Sequence, residues 1–232
     1  AEIFYGFDNE EYFISIVSDG AGSAANADRG ADLACISAIK SIERSLGILN
    51  QDEINEVCIR GWINDIQDEI IKEANYTELP VRDFACTILG AVVSRKKSFF
   101  FQIGDGAIMA SCNQVKGIVF PPEYSEYVNL THFVTDKNAI DHLQVFITSS
   151  PITEIAIFSD GIQHLALSFK TLTPHLPFFE PMLEVLRKCD TDRMESLNYQ
   201  LASFLNSKQV NERTDDDKTL VLATRLDENI FE

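Results

Sequence analysis

Three apolar runs in this chain end in an aspartate followed by a glycine: "VSDGAGS" from Val17 to Ser23, "QIGDGA" from Gln102 to Ala107 and "FSDGI" from Phe158 to Ile162. A strand that ends in Asp presents its carboxylate at the rim of a sheet. The Gly after it lets backbone approach a ligand closely and offers its own carbonyl. One Asp-Gly pair reads most simply as a turn. Three of them, with the acidic cluster Asp215-Asp216-Asp217 directly ahead of a further apolar run, point instead to carboxylates gathered at one rim. Gathered carboxylates repel one another unless cations lie among them, and an all-oxygen ligand set selects hard ions such as Mg2+ or Mn2+.

Other reactive side chains fit no such pattern. Ser18 and Ser159 precede two of the aspartates, yet no Gly-x-Ser-x-Gly frame marks either as a nucleophile. His132, His142 and His175 lack metal-ligand spacing and are expected in ordinary surface or core roles. Glu69 and Glu73 share a helix face and read as solvated acids. The five cysteines, Cys35, Cys58, Cys86, Cys112 and Cys189, are odd in number and contain no C-x-x-C pair, so zinc and dithiol chemistry are not expected and a reducing cytoplasm is. The sequons Asn75-Tyr76-Thr77 and Asn129-Leu130-Thr131 read as chance matches in that compartment.

Charge narrows the partners. With 36 acidic against 19 basic side chains and a net charge of -17, binding to a phosphate backbone is disfavoured, so nucleic acid is not an expected partner. No apolar run approaches the roughly 18 residues needed to span a bilayer, and no membrane partner is expected.

The elements that must hold the carboxylates follow from periodicity. The chain has 232 residues, 45% of them hydrophobic, enough for a sizeable core in one domain over residues 1–232. "AEIFYGF" and "EYFISIVSDG", separated by Asp8-Asn9-Glu10, predict a two-stranded hairpin. From Asn26, Leu33, Ile36, Ile39, Ile42 and Leu46 recur at three or four residues and predict a helix. A second helix runs from about Asp52, with Ile54, Cys58, Trp62, Ile66 and Ile70 on one face and Pro80 at its far boundary. Strands are then expected in "FACTILGAVV", "SFFFQIG", "AIMASC", "VKGIVF", "THFVT", "LQVFITS" and "TEIAIFSDG". Helices over Phe178 to Lys188 and Asp192 to Asn206 precede a last strand, "KTLVLATR". Helices grouped apart from consecutive antiparallel strands indicate an α+β fold rather than βαβ alternation.

The order of these motifs resembles the metal-dependent protein phosphatases of the 2C type, particularly their compact bacterial branch. Asp19-Gly20-Ala21-Gly22 matches the family's Asp-Gly-x-Gly, and "SAANADRGADLA" continues into the first helix as it does there. "RDFACTILGAVV" is similar to its threonine-bearing strand, Gly104-Asp105 to its Gly-Asp junction and "NLTHFVTD" to a bacterial-branch segment. "FSDGI" matches its Ser-Asp-Gly, and "DDKTLVLA" its closing Asp-Asn-x-Thr strand, with Asp217 in place of Asn. The resemblance covers nearly the whole chain. It implies a four-layer α-β-β-α sandwich of two packed, mainly antiparallel sheets. It also implies a serine/threonine protein phosphatase whose two ions are Mn2+ or Mg2+. Asp19 would bridge both ions, Asp160 and Asp216 would bind one, the Gly20 carbonyl would bind the other, and Asp105 would serve a weaker third. No side chain is then assigned as the nucleophile: two ions about 3.5 to 4 Å apart activate a water for in-line attack on phosphorus. The implied partner is a phosphorylated protein, together with a cognate Ser/Thr kinase.

The chain departs from the family pattern at three places. Ala21 stands where many members carry a histidine able to protonate the leaving group. His164 stands where a second acid usually follows Ser-Asp-Gly. The family's opening segment, with an acidic metal ligand and a phosphate-binding Arg, belongs ahead of Ala1, and Asp8 in its turn is a poor substitute. The expected domain therefore lacks the family's N-terminal strand. A non-catalytic regulatory or binding domain and a small-molecule phosphohydrolase are the alternatives that these departures leave.

Overall fold

The computed structural model describes residues 1–121 and 131–226. Two antiparallel sheets lie at its centre. Strands β1 (Glu2–Tyr5), β2 (Glu11–Val17), β3 (Ile88–Val93), β4 (Ser98–Ile103) and β7 (Gln144–Thr148) form a five-stranded sheet in the order β1-β2-β3-β4-β7. Strands β5 (Ala107–Cys112), β6 (Val115–Ile118), β8 (Ile152–Phe158) and β11 (Leu220–Thr224) form a four-stranded sheet in the order β11-β8-β5-β6. The chain passes from one sheet to the other in the three residues Gly104, Asp105 and Gly106, between β4 and β5.

Three apolar clusters separate four layers. Helices α1 (Ala27–Leu46) and α2 (Glu56–Thr77) cover the five-stranded sheet through a cluster that includes Leu33, Ile42, Trp62, Ile66 and Phe101. Trp62 and Phe101 meet edge to face at 5.9 Å between ring centroids, and truncating either fully buried ring to Ala would cost about 3–5 kcal/mol. Val17, Leu89, Phe100, Ile108 and Ile157 fill the space between the sheets. On the far side, Met109, Phe158, Phe179 and Leu183 join the four-stranded sheet to α3 (Gln163–Ala166), α4 (Leu176–Arg187) and α5 (Met194–Leu205). The α-β-β-α order expected from the resemblance is the order found. A short hairpin of β9 (Leu167–Ser168) and β10 (Thr173–Pro174) links α3 to α4, and α6 (Lys208–Asn211) precedes β11.

Local chemistry sets the element ends. The Asn55 side chain accepts from the N–H groups of Val57 at 2.9 Å and Cys58 at 3.4 Å, so α2 starts at Glu56 rather than near Asp52. It stops where Glu78 turns left-handed, at φ 58°, two residues before Pro80. Glu154 on β8 is 6% exposed and is held by Arg187 of α4 at 2.5 Å and Lys116 of β6 at 3.1 Å, which ties the outer helix layer to its sheet.

Two expectations need correction. "THFVT" forms no strand: the Val134 N–H donates to the Cys86 carbonyl at 2.8 Å, and Asp136 accepts the Phe133 N–H at 2.9 Å, so local polar contacts bend the chain into turns. The strand expected over "FACTILGAVV" begins only at Ile88, because Val81–Phe84 is a 3-10 turn. Of the segment "NLTHFVTD" and the sequon Asn129-Leu130-Thr131, Asn129 and Leu130 lie outside the described residues.

Candidate metal centre

Asp19 and Asp160 hang from different sheets. Asp19 follows the end of β2, Asp160 follows the end of β8, and Asp216 lies in the approach to β11, which pairs with β8. Asp19 and Asp160 each follow a serine whose hydroxyl ties down the local backbone. The Ser18 hydroxyl donates to the Thr87 carbonyl at 2.6 Å, and the Ser159 hydroxyl donates to the Asp217 carbonyl at 3.2 Å. The Ser159 hydroxyl oxygen also accepts the Thr219 N–H at 3.1 Å, and the Ser159 N–H donates to the Thr219 carbonyl at 3.2 Å. The segment carrying Asp216 and Asp217 is thereby pinned against the end of β8.

The glycine of "FSDGI" is required by packing. A Cβ added at Gly161 would lie 2.0 Å from the Asp217 carbonyl oxygen. Gly104 is required by conformation: its φ is +107°, in the left-handed region. That turn places Asp105 at the same rim, where its Oδ2 accepts the Thr131 hydroxyl at 2.5 Å and its carbonyl accepts Gln163 Nε2 at 3.1 Å.

Electrostatics reveal the proximity of these acids. The Asp19 carboxyl is pushed up to about 7 by burial first, then by a hydrogen bond with Asp160 and by the charges of Asp160, Asp216 and Asp217. Asp160 is also raised, by burial and then by the charge of Asp105, although its hydrogen bond with Asp19 works the other way. Asp160 Oδ1 is buried without a hydrogen-bond partner. Among the described residues, no three His, Cys, Asp or Glu side chains are drawn together tightly enough to hold an ion as they stand. The donor set nonetheless fits a hard cation: it is all oxygen, it carries mutual repulsion that a cation relieves, and one buried carboxylate oxygen lacks any donor.

The remaining sequence candidates fall away from this centre. Asp8 is committed to its turn: one oxygen accepts the Glu10 N–H at 3.1 Å, the other the Tyr12 hydroxyl at 3.0 Å. Glu69 pairs with Lys72 and Glu73 with Arg29. Ala21 is buried and donates its N–H to the Ala85 carbonyl at 2.9 Å. His132 and His142, expected in ordinary surface or core roles, stack with ring centroids 3.4 Å apart. Thr87 was not singled out by sequence reasoning as a positioning residue, although the resemblance placed a threonine strand there. All five cysteines are free. No helix among the described residues is long and apolar enough to cross a membrane.

Comparison with known proteins follows the same outline. Serine/threonine-protein phosphatase 3 of Escherichia coli (strain K12) is 38% identical over 218 residues, which is 93% of this chain and 85% of that protein. The structure of Stp1, a serine/threonine phosphatase from Staphylococcus aureus, aligns with a TM-score of 0.59 at 16% identity, covering 97% of this chain and 87% of that one. The catalytic domain of the serine/threonine phosphatase PstP, solved in complex with two manganese ions, aligns with a TM-score of 0.56 at 12% identity, covering 93% of this chain and 99% of that one. At such identities the two structures speak for the fold. The family model described as "Protein phosphatase 2C" matches residues 3–206. With that match, the close relative and the acidic rim between two sheets, the chain belongs to the protein phosphatase 2C family.

Proposed function

We propose that this protein phosphatase hydrolyses phosphoserine and phosphothreonine in proteins and depends on Mn2+ or Mg2+, with two ions at the rim formed by Asp19, the Gly20 carbonyl, Asp160 and Asp216. The observation that carries this reading is the meeting of Asp19 and Asp160 from separate sheets, with Asp160 Oδ1 buried and unpartnered. Bound divalent cations supply a lowered water pKa and charge neutralisation on phosphoryl oxygens. The chain's own residues supply the frame. Thr87 and Ser18 fix Asp19, Ser159 fixes the Asp217 backbone beside Asp216, and the glycines keep side-chain bulk out of the rim. Ala21 offers no proton, so no side chain at that position protonates the leaving group. Asp105, exposed and bonded to Thr131, is the candidate for a weaker third ion. A Ser/Thr kinase that installs the phosphoryl groups completes the expected partnership.

The test is hydrolysis of a phosphothreonine peptide and of a generic aryl phosphate, with Mn2+ present or chelated. Mn2+-dependent release of phosphate from the peptide, abolished by Asp19→Asn in a protein that still folds, is the expected result. Near-normal activity of Asp19→Asn, or equal activity in a chelator, would sink the assignment. A protein that folds, binds Mn2+ and cleaves neither substrate would turn the reading to a non-catalytic domain.

A further inference from the structure

We propose that the pocket beside the metal rim, between α3, the β9–β10 hairpin, the first turn of α4 and Arg213, is a phosphate-binding subsite. It would take a second phosphoryl group of the substrate, about three residues from the one that is hydrolysed. The identity of the substrate rests on the phosphatase reading above; the binding of phosphate does not.

The pocket is an open cavity of about 440 Å3, lined by His164, Ser168, His175 and Arg213 over an apolar floor that includes Leu165 and Phe178. No carboxylate lines it. That is unusual in a chain with 36 acids and a net charge of -17, whose surface repels anions. Every polar side chain in it can donate. The guanidinium of Arg213 carries a permanent charge and a planar fork suited to phosphate. Three acids, Asp215 to Asp217, follow it closely, yet among the described residues none forms an ion pair with it. Lys208 and Glu212 of the preceding turn, by contrast, satisfy each other at 3.6 Å. The Ser168 hydroxyl oxygen accepts from Thr171 at 2.8 Å, which leaves its own hydrogen to donate. A neutral imidazole carries one ring N–H, so His164 and His175 donate without being charged. His175 is held in place by its backbone N–H, which donates to the Ala166 carbonyl at 2.7 Å. The first turn of α4 forms one wall and has no side-chain cap, so the positive end of that helix adds to the same field.

Chain geometry ties the pocket to the rim. His164 follows Asp160 by four residues and Arg213 precedes Asp216 by three. Three residues of chain span at most about 11 Å, so the Arg213 and Asp216 backbones are no further apart than that. An extended substrate peptide covers the same distance in about three residues. One phosphoryl group at the rim therefore places a second, about three positions away, within reach of Arg213.

The experiment has two arms. In the first, the full chain in excess chelator is titrated calorimetrically with inorganic phosphate. Binding to one site is expected, weakened at least tenfold by Arg213→Ala and less by Arg213→Lys, with melting temperatures confirming that both variants fold. An absence of binding, or an Arg213→Ala protein that binds like the unsubstituted one, overturns the subsite. In the second arm, with Mn2+, a phosphothreonine peptide bearing a further phosphothreonine three positions away is compared with its singly phosphorylated form. The doubly phosphorylated peptide is expected to show a KM at least fivefold lower, with the ratio collapsing in Arg213→Ala. Equal KM values in the unsubstituted protein overturn the substrate assignment. Failure to cleave either peptide counts against the phosphatase reading alone, and the phosphate titration then decides the subsite by itself.

Discussion

Thr87 and Asp19 are joined in both directions across the rim of the five-stranded sheet. The Asp19 N–H donates to Thr87 Oγ1 at 3.0 Å, and the Thr87 N–H donates to the Asp19 carbonyl at 2.8 Å. The backbone of the central acid is therefore set by a neighbouring strand, independently of anything its carboxylate binds. Thr87→Val keeps the β-branched shape and removes the hydroxyl, leaving the Asp19 N–H without its acceptor. A loss of about 1–3 kcal/mol is expected, the cost of an unsatisfied buried donor. Urea denaturation measures it, and the Mn2+ concentration for half-maximal activity should rise in the same variant. An unchanged value for both would mean that the clamp does not position Asp19.

The acidity of Asp19 gives a pH dependence with a definite sign. In the metal-free protein its carboxyl is raised from 3.8 to about 7, by burial first and then by Asp160, Asp216 and Asp217. The folded state thus holds this proton more tightly than the unfolded chain does. Stability from this group is fully present below its unfolded pKa and is lost as pH rises toward the folded value, over the window from about 4 to about 7. Melting temperatures in chelator should fall across that window, and Asp19→Asn should flatten the decline. Parallel profiles for the two proteins would contradict the shift.

The same repulsion predicts what metal does. A cation that binds only the folded rim raises stability by mass action, about 2.7 kcal/mol at a free concentration one hundred times its dissociation constant. Millimolar Mn2+ should raise the melting temperature, and Asp160→Asn should remove most of the rise. No change in melting temperature with Mn2+ would show that these acids do not form an ion site.

Gly161 is a site where a single methyl group should be felt. Its added Cβ would sit 2.0 Å from the Asp217 carbonyl oxygen, which is backbone and cannot swing aside. Gly161→Ala is expected to cost about 1–3 kcal/mol, as overpacking does. Activity should fall further than stability, because the displaced segment carries Asp216. Full activity in a folded Gly161→Ala protein would show that this approach does not matter to the site.

Glu154 offers a contrast away from the rim. Burial would raise its carboxyl, but Arg187 and Lys116 outweigh that and hold it low. Glu154→Ala leaves Lys116, 11% exposed, without one of its two carboxylate partners. Breaking such a buried network is expected to cost about 3–5 kcal/mol. Thermal or urea unfolding checks the loss, with kcat at saturating Mn2+ unchanged.

The layers were legible in the sequence because their signals are dense. The helix of Leu33, Ile42 and Leu46 and the run of Ile54, Trp62, Ile66 and Ile70 are buried as their spacing predicts, although Ile36 on the same stripe is 48% exposed. "THFVT" misled because its composition matches a strand, while the decisive contacts, Asp136 to Phe133 and Val134 to Cys86, come partly from distant residues. The aspartates of the rim were legible there too, Asp19, Asp105 and Asp160 by their Asp-Gly repeats and Asp216 by its acidic cluster. Their supports were not, since the pairing of Ser18 with Thr87 spans 69 residues and that of Ser159 with Asp217 spans 58. Local pattern carries no record of such pairs.

The proposed centre takes Asp19 from one sheet and Asp160 and Asp216 from the other, so its geometry depends on how the two sheets are registered. Val17, Leu89 and Ile157 pack between the sheets, so a repacking there is expected to shift one carboxylate relative to its partners while the strands and helices persist. Activity is then expected to be surrendered before secondary structure as the sandwich loosens. Far-ultraviolet dichroism would still report a native fold after the activity had gone.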